Sequence, residues 1–210
     1  MNEQERVEFH RDFERALAFA TRLHADQTRK QTEIPYIAHL ISVAGLVLEY
    51  GGNSDQAIAA LLHDSIEDQG AHYPGGVPAL KAHIESEFGA PVLDIVKGCT
   101  DAETEPKPPW RARKEAYIRH IQSATQSVRL VSCADKLHNA RSIVMDLRVL
   151  GAASFERFKG GKDGTLWYYR ELSEVFTRLG PAEPAAELSR TVATMSGLAS
   201  LGGREGIRLT

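Results

Sequence analysis

Apolar residues recur at three- and four-residue spacing along most of this chain, and no stretch alternates apolar with polar over the length of a strand. The backbone is therefore expected to form helices that each bury a stripe. Phe9, Phe13, Ala16, Leu17, Ala20 and Leu23 open the pattern. Residues 38–50 (AHLISVAGLVLEY) read as a largely buried helix that Gly51-Gly52 stop. Ser54 reads as the N-cap of the next helix, which continues to about Asp68. Further helices are expected near 78–88, 91–99, 110–122, 128–150, 165–179 and 185–198. Loops fall at the polar stretch 26–35, at the Pro-Gly-Gly of 74–76, and at 101–109 (DAETEPKPP), whose prolines remove donors and fix the backbone. The expected fold class is all-α, a single helical bundle of about nine or ten helices over residues 1–200, with a frayed tail at 201–210.

The chain has 210 residues, the length of one ordinary domain with a real core. Lys and Arg number 25 and Asp and Glu 28, a net charge of −3, so no global positive field recruits nucleic acid or an anionic membrane. No run approaches the roughly 18 apolar residues of a membrane span. Residues 1–5 (MNEQE) are acidic and polar where a signal peptide is basic and then apolar. Cys99 and Cys133 belong to no clustered pattern, which favours a reducing compartment. These features give the expectation of a cytoplasmic protein acting on a small molecule, with no nucleic acid or membrane partner and an oligomeric state that no readable feature encodes.

Three polar insertions break the apolar pattern. The first is AALLHDSIED at 59–68. On a continuous helix His63, Asp64, Glu67 and Asp68 share one face about 140° wide. No Lys or Arg lies between Ser54 and Gly70, and Leu61, Leu62 and Ile66 draw the segment inward. Carboxylates held away from solvent need a cation; the alternative is a solvated acidic face with an incidental histidine. The second is CADKLHNARS at 133–142, where Asp135, His138 and Asn139 share a face just after a strongly apolar run. The third is His39, which on its own reads as easily as a core or cap residue. Two imidazoles and two carboxylates from three helices would form a nitrogen and oxygen site for Mn²⁺, Fe²⁺ or Zn²⁺ rather than Ca²⁺ or Mg²⁺.

The His-Asp doublet with a distant His and a distant Asp resembles the HD-domain metal phosphohydrolases. HADQTRKQTEIPYIAH (24–39), LLHDSIED (61–68) and CADKLHNARS (133–142) are similar, in this order, to the three signature blocks of the hydrolase domain in the RelA/SpoT alarmone enzymes. The similarity covers about residues 9–180. The length leaves no room for the synthetase and regulatory domains of the long enzymes, so the resemblance is to the small, MESH1-like alarmone hydrolases.

The resemblance implies that His39, His63, Asp64 and Asp135 are the ligands of one Mn²⁺ ion. It further implies that Glu67 and Asp68 orient or deprotonate the attacking water, and that Arg29 and Lys30 meet phosphate; Glu67, one turn after His63, is the expected base, with Asp68 orienting the water or managing the leaving-group proton. Asn139 lies near metal and substrate, and Tyr168 lies roughly where the family has a nucleoside-contacting aromatic. The implied activity is hydrolysis of the 3′-pyrophosphate of ppGpp and pppGpp to GDP or GTP plus pyrophosphate, by attack of a metal-bound water. Lys136 stands where the long enzymes have Arg. Two other readings stay open on the sequence: a phosphatase on another nucleotide such as NADPH, and an alarmone-binding module without turnover. The basic run 107–120 reads either as a lid over a polyanion or as an exposed helix, and Lys159-Gly160-Gly161-Lys162 as a helix connection.

Overall fold

The computed structural model describes residues 3–101 and 106–201, and among them the architecture is all helical. Nine α-helices follow one another: α1 (Glu3–Leu23), α2 (Ile37–Glu49), α3 (Ser54–Leu62), α4 (Gly76–Phe88), α5 (Ala90–Cys99), α6 (Trp110–Ser123), α7 (Gln126–Leu150), α8 (Gly161–Leu179) and α9 (Ala182–Leu201). A π-helical turn at Ser65–Gln69 and a 3₁₀ segment at Gly151–Arg157 complete the described elements. Among the described residues extended pairing is limited to an isolated antiparallel bridge between Thr28 and Pro35. No described helix is long and apolar enough to cross a membrane. Of the tail expected at 201–210, Leu201 is the last residue of α9, and the rest lies outside the described residues.

Helix α7 is the centre of the bundle, packing on α2, α3, α5 and α9. Val128, Leu130, Val131, Cys133, Ala134, Leu137 and Ala140 are buried around its circumference, which is why its sequence shows no clean amphipathic stripe. Thr125 caps it, the side-chain oxygen accepting from the Val128 amide. Both cysteines are buried and free.

Around the first polar insertion two boundaries differ from the sequence reading. The N-cap of α3 is Asn53, not Ser54: Asn53 Oδ1 accepts from the Gln56 amide at 3.0 Å and Gln56 Oε1 accepts from the Asn53 amide at 2.8 Å, a reciprocal capping box. The helix also stops at Leu62, with His63 as its C-cap, and the chain continues as the wider π turn. The reason is geometric. Adjacent residues on an α-helix splay about 100° apart, whereas here His63 and Asp64 converge, with Asp64 Oδ2 3.1 Å from His63 Nε2.

The glycine-rich stretch at 159–164 is more than a connection. Gly161–Gly164 form the first turn of α8, and a Cβ on Gly160 would lie 2.6 Å from the Trp110 ring. Gly160→Ala is expected to destabilise the chain by about 1–3 kcal/mol through overpacking and to shift tryptophan fluorescence. A thermal melt and an emission spectrum check this.

Candidate active site

Four side chains converge on one buried point: His39 on α2, His63 at the C-cap of α3, Asp64 just before the π turn and Asp135 on α7. His39 sits on the first turn of α2, directed inward by the Pro35-Tyr36 entry, while Asp135 lies midway along α7. His39 Nε2 is 3.5 Å from Asp64 Oδ2 and 3.3 Å from Asp135 Oδ1. His63 Nε2 is 3.1 Å from Asp64 Oδ2 and 3.7 Å from Asp135 Oδ1. Ligand atoms of His39, His63 and Asp135 all lie within 4.8 Å of one another.

The far side of each ring sets what the near side can do. His63 Nδ1 donates to the Ala60 carbonyl at 2.8 Å, leaving the Nε2 lone pair for the centre. His39 Nδ1 lies 2.8 Å from His138 Nδ1. With His39 as the donor of that pair, its Nε2 is also free to ligate. Both Nε2 atoms are buried without a hydrogen-bond partner. Two imidazole lone pairs and two carboxylates gathered in this way fit a divalent cation of the borderline kind.

The electrostatics agree with that fit. Burial works against charge on His63, but the Asp64 and Asp135 carboxylates outweigh it and hold the imidazole well above the ordinary histidine range. Burial likewise opposes ionisation of both aspartates. For Asp64 the His63 and His39 contacts reverse this, and for Asp135 Lys136 and the two histidines do, so both lie well below the usual carboxylate range. Without a cation the cluster retains a proton on His63 that a cation would displace.

Around the cluster lies a supporting layer. Tyr36 Oη donates to Asp64 Oδ2 at 2.6 Å. Lys136 Nζ contacts Asp135 Oδ2 at 2.5 Å. Asn139 Nδ2 donates to Asp135 Oδ1, and Arg29 donates to Asn139 Oδ1 at 2.7 Å. Asn139 therefore links the cluster to the first basic residue of loop 24–36.

A cavity of about 680 Å³ opens beside the cluster. Arg29, Lys30, Asn139, Glu67, Asp68 and Tyr168, all singled out in the sequence, line it. Basic side chains come from three further places: Lys107, Arg113 and Lys114 near the start of α6, Lys136 on α7, and Arg157 and Lys159 at and just beyond the end of the 3₁₀ segment. The run 107–120 is thus no simple exposed helix. Lys30 Nζ and the Arg157 guanidinium both approach the Phe158 ring, at 5.9 and 4.9 Å from its centroid. Tyr168 is buried, with Lys114 Nζ 4.9 Å from its ring centroid.

Glu67 and Asp68 are adjacent but differently held. Glu67 is tied to two residues of the proline loop, one near each end: Lys107 Nζ donates to its Oε1 at 3.1 Å and the Asp101 amide to its Oε2 at 3.3 Å. Asp68 accepts from Gln27 Nε2 at 2.8 Å. Burial first, and the negative charge of Asp64 second, push its carboxyl up to about 6.

Sequence reading passed over Tyr36, Gln27 and the second-layer role of His138. His138 carried a signal, since it shares the Asp135 face of α7. Gln27 carried none, lying in a polar loop.

An HD domain family model matches residues 16–153. The chain belongs to the HD domain family. Within it the chain groups with the small, MESH1-type members of the RelA/SpoT lineage. It is 38% identical over 131 residues to the guanosine-3′,5′-bis(diphosphate) 3′-pyrophosphohydrolase MESH1 of Xenopus tropicalis, covering 61% of this chain and 67% of that one. It is 36% identical to the human MESH1 over the same coverage. The bifunctional (p)ppGpp synthase/hydrolase SpoT of Escherichia coli K12 is 34% identical over 126 residues, 57% of this chain and 16% of that enzyme. The match therefore spans about two thirds of the MESH1 proteins and a small part of SpoT. A solved metazoan ortholog of SpoT, described as hydrolysing ppGpp, superimposes with a TM-score of 0.70 at 25% identity, covering 89% of this chain and 96% of that one. A Listeria monocytogenes EGD-e structure superimposes with a TM-score of 0.64 at 26% identity, covering 78% and 99%.

Proposed function

We propose that this chain is a metal-dependent guanosine-3′,5′-bis(diphosphate) 3′-pyrophosphohydrolase, converting ppGpp to GDP and pyrophosphate and pppGpp to GTP and pyrophosphate. The observation that carries the reading is the buried cluster of His39, His63, Asp64 and Asp135 opening onto a cavity lined by lysines and arginines. The names of its MESH1 and SpoT relatives supply the substrate. The ligand set is read as holding one Mn²⁺ ion, which on binding supplies Lewis acidity toward a phosphoryl oxygen and acidity to water.

The remaining chemistry belongs to the chain. Arg29 and Lys30 pair with phosphate oxygens, the guanidinium being suited to two-point contact. Lys136 and Asn139 hold Asp135 in place. Asp68 accepts the proton from the attacking water as its oxygen bonds to the phosphorus next to the ribose 3′-oxygen. The bond from that phosphorus to the 3′-oxygen breaks, and the oxygen leaves as the ribose hydroxyl with a proton from solvent, while Asp68 returns the proton it accepted to solvent. Glu67, on the cavity wall, holds Lys107 and the Asp101 amide.

Manganese-loaded protein is expected to release pyrophosphate from ppGpp, and chelator-treated protein to release none. Failure of the loaded protein to do so defeats the reading. The metal should also stabilise the fold. Free Mn²⁺ at about 100 times its Kd contributes about 2.7 kcal/mol, or roughly 5–10 °C in Tm for a chain of this size. The gain should shrink at low pH, because protons compete for His63. Calorimetry at two pH values, with and without chelator, measures both effects.

A further inference from the structure

The side chain that holds Asp68 is itself held from behind. Gln27 Oε1 lies 2.7 Å from His24 Nδ1 and 2.6 Å from Gln69 Nε2, while Gln27 Nε2 lies 2.8 Å from Asp68 Oδ2. A carboxylate only accepts. The group facing Asp68 must therefore be the NH₂ end of the Gln27 amide, and the reversed amide would set oxygen against oxygen. On the other side, the Gln69 NH₂ and the Nδ1–H tautomer of His24 are donors, so they require the carbonyl end there. All three bonds agree on one orientation of one amide.

The support for this arrangement is rigid. His24 is buried, and its ring stacks on Tyr36 with centroids 5.3 Å apart and planes 19° apart. Tyr36 is the residue that donates to Asp64. A single buried imidazole thus braces both Gln27, on Asp68, and Tyr36, on Asp64. Loop 24–36 carries Arg29 and Lys30 toward the cavity and at the same time positions two carboxylates from beneath.

We propose that Gln27 is a positioning residue for hydrolysis: its amide, locked by His24 and Gln69, aims the Asp68 carboxylate at the attacking water. The proposal rests on the role given to Asp68 above. Gln27→Met keeps the side chain's length and removes its hydrogen bonds. It should lower kcat on the order of 10–100-fold, the range for losing a hydrogen bond to a charged group, while KM for ppGpp and the Kd for Mn²⁺ change less than about twofold.

In an Asp68→Asn background the same substitution should cost less than about twofold more, because a residue acting through Asp68 has nothing left to position. Independent, multiplying losses would overturn the proposal, as would an effect confined to KM. A crystal structure of the Gln27→Met protein gives an answer free of turnover. The Asp68 carboxylate should be rotated away from its parental orientation over an unmoved main chain at 65–69, and an unrotated carboxylate overturns the proposal. Parental turnover by Asp68→Asn alone would instead overturn the role of Asp68, and the proposal with it.

Discussion

Asp64→Ala protein should bind Mn²⁺ weakly and lose at least about 10³-fold in pyrophosphate release from ppGpp, since metal-derived stabilisation of a phosphoryl-transfer transition state amounts to several kcal/mol. Asp64 is the most exposed of the four converging side chains and the one nearest His63 Nε2. It also receives the Tyr36 hydroxyl. Removing it leaves His63, with Asp135 as the one remaining carboxylate beside it, so its ability to stay charged without metal falls as well. The fold should survive: the metal-free variant loses mutual repulsion between Asp64 and Asp68 and keeps the apolar packing of α3. Titration calorimetry with Mn²⁺, a turnover assay and a thermal melt separate these three effects. Parental turnover in the variant would remove Asp64 from the site.

Asp68→Asn should behave in the opposite manner toward metal. Mn²⁺ affinity is expected to stay within a few-fold of the parent, while kcat falls on the order of 10²–10⁴-fold, the usual range for a general base. Its pH dependence gives a second handle. The carboxyl is raised to about 6 by burial and then by Asp64, and only the ionised form accepts a proton, so turnover should rise with pH and level off above that value. Cation binding weakens the Asp64 repulsion but leaves the burial, which places the acid limb at or just below pH 6.

The stability effect of Asp68 has the reverse sign. A carboxyl whose folded pKa lies above its unfolded one costs stability at pH values above about 6, and the cost is relieved as pH falls toward 4. Metal-free Asp68→Asn is thus expected to be more stable than the parent at pH 8 by about 1–3 kcal/mol, allowing for partial solvent screening. An inactive variant that is also less stable at pH 8 would contradict this account of Asp68.

Helix content was legible because most helices bury a stripe and most breaks carry glycine or proline; α7, buried all round, and the Ala124-Thr125 break before it are the exceptions. The converging residues were legible because imidazoles and carboxylates in apolar surroundings demand partners. The π turn was not, since a periodic reading assumes 3.6 residues per turn and cannot register the change of pitch that brings His63 and Asp64 together. The N-cap of α3 was placed one residue late for another reason: Asn53 and Ser54 are both competent caps, and only the reciprocal bond to Gln56 separates them.

The cavity's extra cations were hidden for a different reason. Which face of α6 meets the site depends on its packing against α8, and that is a property of the tertiary structure. Lys107, Arg113 and Lys114 therefore read equally as part of a lid over a polyanion and as ordinary surface charge. Gln27 was invisible because its importance lies in three bonds to residues, two of them about forty positions away.

Hydrolysis of ppGpp in oxygen-18-labelled water, followed by phosphorus NMR and mass spectrometry of the products, tests the central claim most directly. With Mn²⁺-loaded protein the account predicts pyrophosphate carrying one labelled oxygen and GDP carrying none, with no release after chelation. Orthophosphate as the product, label in the ribose hydroxyl of GDP, or undiminished turnover by the metal-free protein would contradict it.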